Sequence, residues 1–177
     1  VITVLLKILK DPSLTAHHTA VIQTLIHIYQ TLGLNCVAFL PHIIPAFLSA
    51  IKVSPQSLLD FYFQKLDILI DIVKLHIRPF AADIYKVLLD FLPVVNLQIT
   101  IISVIESISD ALEGEFKPFI PETLTCFLTI LEEDKAPNKQ VSKKVLKSLV
   151  TFGETLNDSF YLILPMIIRM TEFSTLE

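Results

Sequence analysis

The sequence predicts an all-α protein, an α–α superhelix of four to five antiparallel helix pairs, and three observations lead there. Apolar residues recur at helical spacing along nearly the whole chain. The helix breakers fall at regular intervals between those runs. Glycine is scarce, with three in 177 residues. Tight hairpins, phosphate loops and dinucleotide turns all draw on glycine, so its scarcity points away from most α/β enzyme folds. Strict apolar–polar alternation over a strand length is missing, as are Asn-Gly and Asp-Gly hairpin signals.

Taken in order, the breakers are Asp11-Pro12, Gly33, Ser54-Pro55, Pro79, Pro93, Gly114 to Pro118, Ala136-Pro137 and Asn157-Asp158. They leave helices over 1–10, 13–32, 37–52, 56–75, 79–92, 96–112, 118–132, 138–156 and 160–172. The fourth carries the clearest stripe: Leu59, Phe63, Leu66, Ile70 and Val73 step by 4, 3, 4 and 3 along one helix face. Its opposite stripe, Asp60, Gln64, Asp67, Asp71 and Lys74, reads as solvated. In the eighth helix Val141, Val145, Leu149, Phe152 and Leu156 repeat the pattern. Every link is short, which forces neighbouring helices to run antiparallel.

The helices also come as a repeat. Phe39-Leu40-Pro41, Ile77-Arg78-Pro79, Phe116-Lys117-Pro118 and the stretch from Phe160 to Pro165 align as one motif, at intervals of 38, 39 and 44 residues. The second helices end in step at Leu32, Leu75, Leu112 and Leu156. A period near 40 residues with two helices per repeat is that of HEAT arrays, with proline in the first turn of each first helix, where a missing N–H costs nothing. The expected repeats are 1–35 (first helix truncated), 36–75, 76–114, 115–157 and the first helix of another over 158–177, all in one continuous solenoid. A single pair cannot hide its apolar surface, and stacking hides it on both sides. Apolar Val4, Leu5 and Ile8 near one end, and Met166, Ile167 and Met170 near the other, read as faces awaiting further repeats, so the chain is expected to be a fragment of a larger one.

Composition bounds the function. Hydrophobic residues make up 53% and charged residues 18%, which excludes general disorder. A net charge of −4 gives no pull towards nucleic acid or anionic lipid. Cys36 and Cys126 lack CxxC spacing and read as buried thiols of a reduced compartment. Mean hydropathy is +0.64, and no Asp, Glu, Lys or Arg lies between Asp11 and Lys52. That segment is nevertheless broken by His17, His18, Gln23, His27, Gln30, Asn35, His42, Pro41 and Pro45. A spanning helix needs about 20 predominantly apolar residues in a row, so membrane insertion is not expected.

Candidate chemistry is sparse. His17-His18 sit in an early helical turn, and His27 and His42 stand isolated; none forms HExxH or a convergent three-ligand set, so no metal is expected. Asp67 and Asp71 share a helix face, and Lys74 is spaced for an ion pair with Asp71. Glu132-Glu133-Asp134 reads as a solvated turn. There is no GxSxG, no P-loop and no kinase motif, so no catalytic residue is assigned. The one charge cluster is basic: Lys139, Lys143 and Lys147 step by four with Lys135 and Lys144 beside them. Asp134 to Lys147 thus holds five lysines and one aspartate, a net +4. The five lysines are the candidate partner-docking residues. No arginine or aromatic is interleaved, which disfavours nucleic acid.

Several stretches then resemble the TOR (target of rapamycin) kinases: Leu32 through Pro41, Lys74 through Phe80, Ala111 through Pro121, Phe152 through Asp158, and Leu162 through Pro165. They occur in one order from about Leu32 to Phe173. The resemblance implies a middle part of the HEAT array of a very large serine/threonine kinase of the phosphatidylinositol 3-kinase-related family. It implies a non-catalytic scaffold in nutrient and growth signalling. That scaffold supports dimerisation with a second kinase protomer and docking of Raptor- or Rictor-type subunits, while a WD-repeat subunit sits on the kinase domain. ATP, magnesium and rapamycin sites all fall outside these residues. The expected location is cytoplasmic, the parent complex being peripheral on vacuolar, lysosomal or other endomembranes. The other reading kept is a HEAT adaptor of the nuclear-transport or phosphatase-scaffold type; a tryptophan–asparagine peptide ladder is not available to it, since the chain has no tryptophan.

Overall fold

The structure, a computed structural model, describes residues 1–135 and 137–156 together with Tyr161, Leu164, Pro165 and Ile168. The ninth predicted helix, 160–172, lies largely outside the described residues. Among the described residues eight α-helices are laid out in full: α1 (Ile2–Lys10), α2 (Thr15–Leu32), α3 (Leu40–Val53), α4 (Gln56–Val73), α5 (Ala81–Phe91), α6 (Gln98–Leu112), α7 (Ile120–Glu133) and α8 (Gln140–Leu156). No strand occurs among the described residues. The fold is all-α, built from stacked helix pairs of the HEAT/armadillo-like solenoid class.

The chain forms two compact units, Val1–Ala111 and Leu112–Glu177. In the first, α1 packs on α2 and on α3, and α2 packs on α4. An edge-to-face contact of Phe47 with Tyr62 (6.4 Å between centroids) joins α3 to α4, and one of Phe63 with Phe91 (5.6 Å) joins α4 to α5. The predicted stripe of α4 is the core of this unit: Leu59, Phe63, Leu66, Ile70 and Val73 are all buried. Burying each such side chain is worth about 1.5–3 kcal/mol. In the second unit α7 packs on α8. Its core is aromatic: Phe152 stands 5.6 Å from Phe116 and stacks on Phe127 at 6.0 Å, with Val145 and Leu149 buried beside it.

Three links have the same form. Gly33–Phe39, Lys74–Phe80 and Glu113–Phe119 are 3₁₀ segments of seven residues each. Each opens on a residue with positive φ: Gly33 at 55°, Lys74 at 47° and Glu113 at 50°. Each sends its fourth residue inwards, so Cys36, Ile77 and Phe116 are buried plugs. This register corrects the sequence alignment, which paired Phe39 with Ile77 and Phe116. In the structure Phe39 corresponds to Phe80 and Phe119, and the partner of Ile77 is Cys36. Measured between the positive-φ residues, the repeat runs 41 residues from Gly33 to Lys74 and 39 from Lys74 to Glu113. Proline misled the alignment because it fits two places. Pro41 and Pro121 occupy the first turn of α3 and α7, whereas Pro79 and Pro118 lie one turn earlier, inside the 3₁₀ segments. Correspondingly α4 stops at Val73, before Leu75.

The long charge-free stretch folds as two helices, α2 and α3, with the 3₁₀ link between them, and half of its most apolar 18-residue window is buried within the protein. By length and composition alone it and the stretch Val95–Glu133 are apolar enough to cross a membrane. Each is broken by one of the seven-residue links, and the residues each buries account for its apolar character.

Candidate functional site

The basic cluster begins at the α7–α8 loop, and an aspartate fixes that loop. The Asp134 carboxylate accepts hydrogen bonds from the Ser142 backbone N–H (3.0 Å) and the Ser142 hydroxyl (2.5 Å). It therefore satisfies a free N–H in the first turn of α8 and adds negative charge at the positive end of the helix dipole. Asp134, expected in a solvated turn, is instead half-buried and caps the first turn of α8.

Lys139 precedes α8 with φ at 45°, and its carbonyl accepts from the Lys143 N–H at 3.0 Å. From there Lys139, Lys143 and Lys147 stand on one exposed stripe. Lys135 is exposed in the loop. Lys144 lies one residue, or about 100°, round the helix and is half-buried on the flank. The structure thus brings three of the five lysines into a row and sets two apart. Leu146 (46% exposed) and Val150 (63%) border the row, so this face of α8 is mixed, cationic and apolar.

The stripe of α4 read as solvated divides in two. Asp71 does pair with Lys74, at 3.1 Å on the exposed surface. Asp60 and Asp67, by contrast, reach the next second helix. The Thr100 hydroxyl donates to Asp60 at 2.5 Å, and the Ser107 hydroxyl donates to Asp67 at 2.6 Å. Both pairs are 40 residues apart in sequence. Between α2 and α4 the corresponding contact is the Thr19 and Tyr62 hydroxyls, 3.4 Å apart. The polar groups along these helices therefore join one repeat to the next.

His18 corrects another expectation. It is 2% exposed rather than part of a polar turn, and its Nε2 donates to the Asp11 carbonyl at 3.1 Å. His17 next to it is exposed, as are His27 and His42. The Asp11 carboxylate accepts from the hydroxyl (2.6 Å) and N–H (2.9 Å) of Ser13, and these bonds lower its pKa below the usual carboxylate value. Tyr29 is buried and donates to the Cys36 carbonyl at 2.8 Å; burial pushes its hydroxyl pKa well up, and Cys36 adds to the shift, so it stays a neutral donor. Burial, then the Glu122 carboxylate, raises the Cys126 thiol. Among the described residues no three His, Cys, Asp or Glu side chains gather as a metal would require.

Known proteins place the chain. Residues 1–74 match the sequence profile of the serine/threonine-protein kinase mTOR domain. Over 170 residues, 96% of this chain, it is 59% identical to serine/threonine-protein kinase TOR2 of Saccharomyces cerevisiae. Over the same length it is 37% identical to serine/threonine-protein kinase mTor of Drosophila melanogaster. Over 176 residues, 99% of this chain, it is 36% identical to serine/threonine-protein kinase tor1 of Schizosaccharomyces pombe. The chain spans 7% of the length of the first two of these relatives and 8% of the third. Ordered likeness across almost every residue, on a fold of stacked helix pairs, leaves one assignment: this chain belongs to the TOR family.

Proposed function

We propose that this segment is a non-catalytic HEAT-repeat scaffold within a TOR-type serine/threonine kinase, supporting dimerisation and the docking of Raptor- or Rictor-type subunits in nutrient and growth signalling. The observation that carries the reading is the use made of polar groups. Asp60, Asp67, Thr100 and Ser107 are spent on holding one repeat to the next, as a wall requires and an active site does not. In this reading the repeats divide near 35, 75, 114 and 157. ATP and magnesium belong to a kinase domain elsewhere in the parent chain, where a WD-repeat subunit also sits. The parent complex works in the cytoplasm, peripherally on vacuolar, lysosomal or other endomembranes. The mixed face of α8 is the docking surface favoured by its lysine row beside exposed Leu146 and Val150.

The test is reversal of Lys139, Lys143 and Lys147 to glutamate in the full-length chain, followed by recovery of the second protomer and each accessory subunit. Recovery of at least one partner is expected to fall severalfold, while phosphorylation of a free peptide by the same preparation stays unchanged. Full recovery of every partner would remove the lysine row from the interface. Loss of peptide phosphorylation with the assembly intact would show that the segment takes part in catalysis.

A further inference from the structure

One hydroxyl stands out by its neighbours. Ser142 has Lys139 three residues before it and Lys143 and Lys144 directly after it, a pattern no other serine or threonine of the chain has. Residues 135–153 contain no Asp or Glu, so nothing in that stretch offsets the positive charge. Lys135, Asn138, Lys139, Gln140 and Lys143 are exposed around it. Ser142 itself is half-buried in the first turn of α8, directly after the α7–α8 loop, and helix ends are where local opening costs least.

We propose that Ser142 is a phosphate-acceptor site for a protein kinase that selects basic substrates, and that the phosphate opens the α7–α8 clasp and silences the lysine row. The inference deepens the docking reading of α8 and rests on it, adding how that surface is regulated.

The transfer requires a kinase acting from outside this segment, with a magnesium-bound nucleoside triphosphate as co-reactant. Ser142 Oγ bonds to the γ-phosphorus while the bond from that phosphorus to the β,γ-bridging oxygen breaks. The hydroxyl proton passes to the catalytic carboxylate of the kinase, and the nucleoside diphosphate leaves. Charge pattern is one of the means by which kinases choose their substrates, and a run of lysines with no acid suits an acidic substrate groove.

The consequence follows from what the hydroxyl holds now. Ser142 donates from its hydroxyl to Asp134 at 2.5 Å and from its N–H to the same carboxylate at 3.0 Å. A phosphate carries about −1.5 to −2 charge at pH 7. It cannot stay at that distance from a carboxylate, so this clasp on the loop opens. The helix itself is spared, because the phosphate takes over the negative charge at the positive end of the helix dipole. Lys139 stands three residues back, a spacing that lets it reach the new charge, and Lys143 is the next residue. The segment from Asp134 to Lys147 falls from a net +4 to about +2. Two of the three lysines in the row are then answered from within the chain, and less positive charge is left for a partner.

The test begins with the full-length chain, isolated from cells with phosphatases blocked and mapped by mass spectrometry. Phosphate is expected on Ser142, and changing Lys139→Ala and Lys143→Ala together is expected to lower its occupancy at least about fivefold. Partner recovery is then compared between Ser142→Ala and Ser142→Glu. Both remove the hydroxyl bond to Asp134, and only the second adds charge. Ser142→Glu is expected to lower recovery of the partner that depends on the lysine row at least about threefold, with Ser142→Ala leaving it unchanged. An unmodified Ser142, or an occupancy indifferent to the two lysines, overturns the acceptor site. Equal recovery in the alanine and glutamate variants overturns the switch. If reversing the three lysines releases no partner, the docking reading fails and takes the switch with it, whereas the acceptor site still stands or falls on its own occupancy.

Discussion

The links Gly33–Phe39 and Lys74–Phe80 follow one backbone path with opposite residues at its most demanding point. Gly33 has φ 55° and ψ −134°, and Lys74 has φ 47° and ψ −129°. Glycine takes such angles freely; an L side chain does so at a cost of order 1–3 kcal/mol. Local preference therefore cannot be what sets the path. The shared element is the buried plug three residues on, Cys36 in one and Ile77 in the other. The core pulls the fourth residue in, and the first residue bends to allow it.

That comparison can be broken most strongly at the plugs. Phe116→Ala, in the third link, is expected to destabilise the 177-residue chain by about 3–5 kcal/mol and Ile77→Ala by about 2–5 kcal/mol, read by urea unfolding. Values under 1 kcal/mol would mean the plugs do not set the path. A smaller pair of effects should have opposite signs. Gly33→Ala meets no steric obstacle, so it should cost only backbone strain, about 1 kcal/mol. Lys74→Gly relieves that strain but adds freedom to the unfolded chain, leaving a gain of about 0.5 kcal/mol. If both changes destabilise, Lys74 is not strained. The smallest effect belongs to a contact at the start of the second link, the exposed Lys74–Asp71 pair. Asp71→Ala should move stability by less than about 0.5 kcal/mol; a larger loss would show that the ion pair, not the plug, holds Lys74 in place.

Most of the helical fold could be read from residue spacing. The stripe of α4 named its buried residues, and that of α8 named the buried Val145, Leu149 and Phe152, because a 3.6-residue period leaves little choice of face. The repeat was visible but misregistered by three residues in its first copy. Proline marks any place where an N–H is dispensable, and both the 3₁₀ segments and the first α-helical turns are such places. The plug positions were hidden because Cys36, Ile77 and Phe116 share burial and not chemistry. His18 was misread since its partner is a backbone carbonyl at the end of the preceding helix, to which no side-chain pattern points. Asp60 and Asp67 were discoverable: hydroxyls stand one repeat further on, at Thr100 and Ser107. At the candidate site the lysine spacing located the row of three, but Leu146 and Val150 came to notice only through their exposure. The exposed Leu34 and Leu75 likewise gave no signal in the pattern, as an apolar residue ending a helical run reads as core.

The two hydroxyl–carboxylate pairs also bear on how the first unit deforms under load. Asp60 and Asp67 are two turns apart on α4, and Thr100 and Ser107 two turns apart on α6, so the helices are pinned at two points along their length. Sliding one past the other by a single turn, about 5.4 Å, would break both pins together. The joint between α2 and α4 has one long hydroxyl contact at 3.4 Å instead. A one-turn slip therefore breaks two short hydrogen bonds at the joint of α4 with α6 but one long one at the joint of α2 with α4, so polar contacts fix the register of the second joint more firmly than that of the first.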